Sequence, residues 1–189
     1  MAGSRVHWST MSNPERGDAG FTAVEVIVTG AILAVGACAL VAALVNAMTL
    51  ASVNRETAVA TGAAREIVER LHAIPCCVVF RSFNSNPYDD PDGAYTAPGA
   101  SFRFDPGRGG EGEGNLTAWI SFPVGDDGLL REDATDAHFG MPRDLNGDGT
   151  IDGNDHSGDY VLLPLRVRVS WQGVTGLRSV ETSTVLGDG

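Results

Sequence analysis

The chain of 189 residues carries 24 acidic and 13 basic side chains, which gives a formal net charge of −11 at pH 7. This balance argues against direct binding of nucleic acid, because contact with phosphates requires a basic surface. The length suffices for one membrane helix and one small soluble domain. Much of the acidity is concentrated in segments rich in Asp, Gly and Asn, above all residues 144–159.

The N-terminal part joins a polar segment to an apolar one. Residues 1–20 are polar, and residues 26–54 contain no charge. A single carboxylate, Glu25, precedes the apolar run. A carboxylate inside a membrane costs about 3 kcal/mol on insertion scales, so it needs a partner or a function. A signal peptide or a simple anchor is the alternative interpretation, but the twenty residues before the run, which include Arg5 and Arg16, are themselves polar.

The motif Gly20-Phe21-Thr22-x-x-Glu25 at the head of this run resembles the class III signal of type IV pilins and type II secretion pseudopilins. The resemblance implies that a prepilin peptidase cleaves after Gly20 and that Phe21 becomes an N-methylated N-terminus. It also implies that Glu25 pairs with the N-terminal amine of a neighbouring pilin or pseudopilin subunit. The expected location is the bacterial inner membrane, crossed once with the head domain outside the cytoplasm, and then a pilus or pseudopilus.

A single helix is predicted over residues 21–73, which contain no proline. At 1.5 Å per residue this helix is about 80 Å long. Residues 1–20 are then the leader, residues 21–52 the membrane and filament-core half of the helix, and residues 53–189 the soluble head domain. In the head domain the helix carries an apolar stripe with i, i+3, i+4, i+7 spacing, formed by Ala60, Ala63, Ala64, Ile67, Val68, Leu71 and Ile74.

Strands and loops are predicted after Pro75, which is expected to end the helix. Alternating or β-branched residues predict strands at 78–80, 101–104, 116–122, 160–171 and 177–186. One face of the fourth strand is expected to contact the core through Val161, Leu163, Leu165, Val167, Val169 and Trp171. The amphipathic half of the long helix can cover this face. The predicted fold is therefore α+β and pilin-like: a long N-terminal helix packed on an antiparallel β-sheet head domain.

Residues 144–155 match the twelve-residue calcium loop, with Gly149 at position 6 and Ile151 at position 8. The candidate ligands are the side chains of Asp144, Asn146, Asp148, Asp152 and Asp155 and the backbone carbonyl of Thr150. Position 12 is Asp rather than Glu, which resembles the dockerin-type loop, and no helix pattern flanks the loop. A metal-free turn is the alternative. We expect a structural calcium ion here, with Ile151 anchoring the loop to the core.

Other candidate chemistry is limited. No spacing typical of a catalytic site occurs, so the chain is not predicted to be an enzyme. His138 and His156 lie in polar segments and are expected to be solvated. The adjacent Cys76 and Cys77 could form a strained vicinal disulfide, or could bind a metal together with His72.

Two functions from different classes fit these features. The first is a structural subunit of a pilus or pseudopilus, a minor pilin or pseudopilin that is processed by prepilin peptidase. The second is a membrane-tethered, calcium-binding, dockerin-like adhesion module for which the N-terminal helix is only an anchor. Gly20 and Glu25 distinguish the two, because a plain tether would tolerate alanine at both positions.

Overall fold

The computed structural model describes residues 20–106, 110, 111 and 115–187. Of the predicted leader, only Gly20 is among the described residues. The chain separates into two compact units, Met1–Asn46 and Ala47–Gly189. The first unit contains apolar helix. The second unit contains a helix, a sheet and long loops.

Helix α1 comprises Ala23–Ala73 and begins with a membrane-length apolar stretch. Its large apolar side chains are exposed along this stretch; Ile32, Leu40 and Leu44 expose 66%, 72% and 60% of their surface. By length and composition α1 could cross a membrane, and a signal sequence near an N-terminus would have the same properties. The long N-terminal helix predicted for this region is therefore present.

The second half of α1 packs in the core of the unit Ala47–Gly189, as its apolar stripe predicts. The small residues of the stripe, together with two larger ones, are buried: Ala60, Ala63, Ala64, Ile67 and Leu71. Val68 and Ile74 are partly buried against them.

Helix α2, Cys76–Phe83, occupies the segment in which we predicted a strand at 78–80, so that prediction is wrong. Pro75 is the N-cap of α2, a position at which its missing N–H breaks no helical hydrogen bond. The buried side chains are spaced i, i+3, i+4, i+7 on one face: Cys76, Val79, Phe80 and Phe83. Burial of this face outweighs the strand preference of the two valines.

Within the described residues, five antiparallel strands form one sheet in the order β2-β1-β3-β4-β5. Their bounds are Ser101–Asp105 for β1, Gly110–Glu111 for β2, Leu116–Ser121 for β3, Leu162–Gly173 for β4 and Gly176–Gly187 for β5. The four strands predicted at 101–104, 116–122, 160–171 and 177–186 are confirmed to within two residues. A long helix on an antiparallel sheet is the α+β layout expected from the sequence.

The alternation of β4 sets which side chains enter the core. Leu163, Leu165, Val167 and Val169 are fully buried, and Trp171 is 6% exposed. Val161, which we expected on the same face, is 42% exposed. This residue precedes the strand, and its N–H donates to the carbonyl of Leu145 at 2.8 Å. That bond ties the residue to the preceding loop instead of placing its side chain in the core.

A two-residue turn joins β4 to β5, and α1 holds the turn in place. Glu56 of α1 accepts hydrogen bonds from Nε1 of Trp171 and from the N–H of Val174, both at 3.3 Å. The strand residue before the turn is Gly173, which pairs with Gly176. A Cβ atom at Gly173 would collide with Oε2 of Glu56, so glycine permits this close approach.

Candidate functional site

The first half of the predicted calcium loop is folded by its own side-chain oxygens. Asp144 accepts from the N–H of Gly147 at 2.6 Å through Oδ1 and from the N–H of Gly149 at 2.8 Å through Oδ2. Both glycines have positive φ, 79° and 86°, a conformation that other residues rarely adopt. Asn146 Oδ1 accepts from the N–H of Asp148 at 3.0 Å. Position 1 of the loop thus orders the turn through position 6.

The remaining predicted ligands make other contacts. Asp148 Oδ1 accepts from the N–H of Thr150 at 2.7 Å. Asp152 accepts from the backbone and side chain of Asn154, and Asp155 accepts from the N–H and hydroxyl of Ser157. The structure therefore links Asp144, Asn146 and Asp148 locally, whereas Asp152 and Asp155 each serve a separate turn.

Ile151 is 50% exposed, so our expectation that it anchors the loop to the core is wrong. The anchor is Leu145, which is fully buried. Its carbonyl accepts from the N–H groups of Val161 and Leu162 at 2.8 and 2.9 Å. Since Leu162 is the first residue of β4, position 2 of the loop, rather than position 8, connects the loop to the sheet.

A buried carboxylate outside the loop, Glu132, organises its backbone. Glu132 is fully buried. Its Oε1 accepts from the N–H groups of Leu145 and Asn146 at 2.6 and 3.2 Å, and its Oε2 accepts from the N–H of Asp152 at 3.3 Å. Its backbone carbonyl accepts from the N–H of Arg143. One side chain therefore fixes both ends of the segment between Leu145 and Asp152.

His156 is buried and surrounded by carboxylates, so our expectation of a solvated side chain is wrong. Its Nδ1 lies 3.1 Å from Asp159 Oδ1, and its Nε2 lies 3.1 Å from Asp152 Oδ1 and 3.7 Å from Glu132 Oε2. Burial alone would lower the pKa of His156. The hydrogen bonds to Asp152 and Asp159 and the charge of Glu132 outweigh burial and raise that pKa above its usual value.

Glu132, Asp152 and His156 form a group that could hold a metal ion. One ligand atom from each residue lies within 4.8 Å of the others. It is the single such group of His, Cys, Asp and Glu side chains among the described residues, and His72, Cys76 and Cys77 do not belong to it. Cys76 is buried and Cys77 is exposed. The structure thus offers a metal-binding arrangement that differs from the ligand set predicted for the loop.

Sequence reasoning missed Glu132 because it stands 12 residues before the loop, in a stretch without a recognisable spacing. The available signal for His156 was its place between Asp155 and Asp159, since an imidazole among carboxylates is a frequent metal or ion-pair arrangement. Neither residue could be assigned to the group without knowledge of how the loop folds back on Glu132.

The start of α1 places Thr22 and Glu25 in a helix cap. Thr22 Oγ1 accepts from the N–H of Glu25 at 3.2 Å, and the carbonyl of Thr22 accepts from the N–H of Val26 at the same distance. Thr and Glu three residues apart have the spacing of a capping box. Gly20 and Phe21 are exposed immediately before this cap. The residues of the predicted processing signal therefore also have a local structural role.

Comparison with protein-family models finds no match to this chain. A search of curated proteins finds no match, and a search of solved structures finds none either.

Proposed function

We propose that the chain is a structural subunit of a type IV pilus or a type II secretion pseudopilus, a minor pilin or pseudopilin. The observation that carries the proposal is the motif Gly20-Phe21-Thr22-x-x-Glu25 directly before α1. The first half of that helix is apolar and exposed, and its second half belongs to the core of a sheet-containing unit. A pilin-like subunit has this architecture: an N-terminal helix that is processed and that carries a folded head domain.

The exposed apolar half of α1 supports this role. Its side chains need lipid before assembly and other helices after assembly, because an exposed apolar surface of this length is unfavourable in water. Gly30 and Gly36 lie within this half, and a Cβ atom at either position would meet nothing within 4 Å. Such small residues let neighbouring helices approach closely. Packing of several α1 helices would therefore form the core of the filament.

The position of Glu25 supports pairing between subunits. Cleavage after Gly20 creates an amine at Phe21, four residues before this carboxylate. An isolated charge in an apolar helix bundle is costly, whereas an amine and a carboxylate brought together reduce each other's cost. The amine of one subunit and Glu25 of the next form such a pair.

The test of the proposed function is the mass of the N-terminal peptide in cells with and without prepilin peptidase. All 13 basic residues of the chain are arginine, so an amine-directed reagent labels the N-terminus alone. We expect a single labelled peptide that begins at methylated Phe21, and an intact leader for Gly20→Ala. An intact leader in the parent protein, or a cut beyond Asn46, contradicts the proposal.

We further propose that residues 144–155 bind a structural calcium ion. The ligands are Asp144, Asn146, Asp148, Asp152 and Asp155 through side chains and Thr150 through its carbonyl. Support comes from the first half of the loop, where Asp144 already orders the turn through Gly149. Calcium suits a flexible loop of oxygen ligands better than magnesium does. The ion offsets the repulsion between carboxylates that lie close together in sequence.

The calcium loop favours a second candidate function, a membrane-tethered calcium-binding adhesion module. In that case α1 is only an anchor, and neither Gly20→Ala nor Glu25→Ala changes surface display. For a pilin or pseudopilin, Gly20→Ala abolishes processing and Glu25→Ala lowers incorporation into filaments. The same two variants therefore distinguish the two functions. Unchanged surface display supports the adhesion module, and loss of incorporation into filaments supports the pilin or pseudopilin.

A further inference from the structure

The buried imidazole of His156 lies between carboxylates on both of its ring nitrogens. The His156 side chain exposes 5% of its surface and that of Glu132 exposes 1%. Asp152 and Asp159 complete the surroundings, with side chains that expose 36% and 59%. A neutral imidazole can donate from one nitrogen only, so its other nitrogen presents a lone pair to a carboxylate. That arrangement requires a cation: either a proton or a metal ion.

The distances within the group match a small ion with nitrogen and oxygen ligands. Zinc binds such ligands at about 2.0–2.1 Å in tetrahedral geometry, which places neighbouring ligand atoms about 3.3 Å apart. His156 Nε2 lies 3.1 Å from Asp152 Oδ1 and 3.7 Å from Glu132 Oε2. The two distances bracket the expected separation. One ligand atom from each of the three residues lies within 4.8 Å of the others, so the group can close around one ion.

The contact of His156 with Asp159 supplies the support that a metal-binding histidine usually has. A ligating imidazole donates its second N–H to a carboxylate or carbonyl, and this bond fixes the ring orientation. The Nδ1 to Asp159 Oδ1 distance of 3.1 Å fits that bond. With its proton on Nδ1, His156 directs the lone pair of Nε2 toward Glu132 and Asp152.

We propose that Glu132, Asp152 and His156 form a zinc site, with Asp159 as the carboxylate that orients His156. Three protein ligands leave the fourth position for water, on the side where Asp152 is partly exposed. Calcium is unsuited to this group, because it prefers six to eight oxygen ligands and this group includes an imidazole nitrogen. The site is independent of the proposed filament function and of calcium binding, apart from the shared Asp152.

The zinc site is built to hold the loop onto the residues before it. Glu132 belongs to the segment that precedes the loop, and the other two ligands belong to residues 152–156. The N–H of His156 also donates to the carbonyl of Leu130 at 2.9 Å, and the N–H of Asp133 donates to the carbonyl of Asp152 at 3.1 Å. An ion here would therefore reinforce two backbone contacts between the same segments.

The test is metal titration of the untagged full-length protein in detergent micelles, with Zn2+ measured by equilibrium dialysis and Co2+ measured by its visible absorption. We expect one saturable site, absorption bands typical of a tetrahedral Co2+ ion with nitrogen and oxygen ligands, and displacement of Co2+ by Zn2+. Because Asp152 is shared with the proposed calcium loop, competition is measured in Asp148→Ala, which lacks a calcium ligand outside this group; millimolar Ca2+ should not displace either ion there. Failure to bind one equivalent of either ion, with the protein folded by circular dichroism, overturns the proposal.

Matched variants assign the ligands. His156→Gln should abolish the saturable site, and Asp159→Asn should weaken it by about 10- to 100-fold, the usual effect of losing an orienting partner. His138→Gln, which removes an exposed imidazole from the same long connection, should bind like the parent. If His156→Gln does not fold, the zinc affinity of Asp159→Asn tests the assignment instead. Asp159 is largely exposed, so this substitution should leave the fold intact. Unchanged binding in Asp159→Asn, or loss of binding in His138→Gln, contradicts the assignment.

Discussion

Glu25 combines a capping position with a charge at the head of an apolar helix. Its backbone N–H is bound by Thr22, and Gln serves as well as Glu at the third position of a capping box. Glu25→Gln therefore removes the charge and leaves the cap. Thr22→Ala removes the acceptor of that N–H and leaves the charge. The two substitutions separate a local contribution to helix stability from an interaction between subunits.

We predict that Glu25→Gln is inserted and cleaved like the parent but enters filaments at least about tenfold less, because an ion pair in a low-dielectric core contributes more than 1.4 kcal/mol. Immunoblots of sheared filaments against total membrane protein measure the ratio. Glu69→Gln, at an exposed position further along α1, is the matched control and should assemble normally. Equal incorporation of Glu25→Gln and parent would exclude the pairing role.

The single side chain of Glu132 makes a large contribution to stability. We predict that Glu132→Ala lowers the free energy of unfolding by about 3 kcal/mol or more, because the N–H groups of Leu145, Asn146 and Asp152 lose their acceptor. In a chain of this size the melting temperature should fall by about 6–12 °C. Glu69→Ala removes an exposed carboxylate and should change little. Similar melting curves for the two variants would show that Glu132 does not hold the loop.

The β4–β5 hairpin and α1 are joined through Glu56. We predict that Glu56→Ala and Gly173→Ala each destabilise the protein by about 1 kcal/mol, the usual net contribution of such hydrogen bonds. Glu56→Ala removes the acceptor, and Gly173→Ala displaces it. The double variant should cost clearly less than the sum of the two, because both changes break the same contacts. If denaturant unfolding shows that the losses of unfolding free energy of the two single variants add up in the double variant, the two substitutions act on separate contacts.

Residues 144–155 are connected to β4 through Leu145, so binding of the proposed calcium ion should stabilise the sheet. We predict that calcium at 100 times its dissociation constant raises stability by about 2.7 kcal/mol. Asp148→Ala should lose most of the rise in melting temperature. Asp126→Asn changes the charge equally at an exposed site outside residues 144–155 and should respond like the parent. Identical melting with calcium and with chelator would remove calcium from the loop.

The overall fold could be predicted from the spacing of apolar residues along the chain. The helical spacing from Ala60 to Leu71 and the alternation from Leu163 to Trp171 identify the two surfaces that face each other in the core. The short helix α2 was missed, although Cys76, Val79, Phe80 and Phe83 have helical spacing. Eight residues with two adjacent valines fit either structure, and only the burial of one face decides between them.

The group of Glu132, Asp152 and His156 could not be predicted from periodicity. Glu132 and His156 are 24 residues apart, and their meeting depends on the turns between them. Those turns are ordered by individual oxygens, such as Asp144 at Gly149, and not by a repeating pattern. Periodicity predicts elements that bury a face. It carries no information about long connections, and in this chain a long connection contains both candidate metal sites.

The contact between Trp171 and Glu56 makes the hairpin visible to fluorescence. Trp171 is 6% exposed, and the guanidinium of Arg178 lies 5.7 Å from the centre of its ring. Trp119 is 51% exposed, and Trp8 lies in the predicted leader. In a processed chain that carries Trp119→Phe, the emission would come from Trp171 alone. Its wavelength would then report, in real time and without a label, whether β4 and β5 are docked on α1.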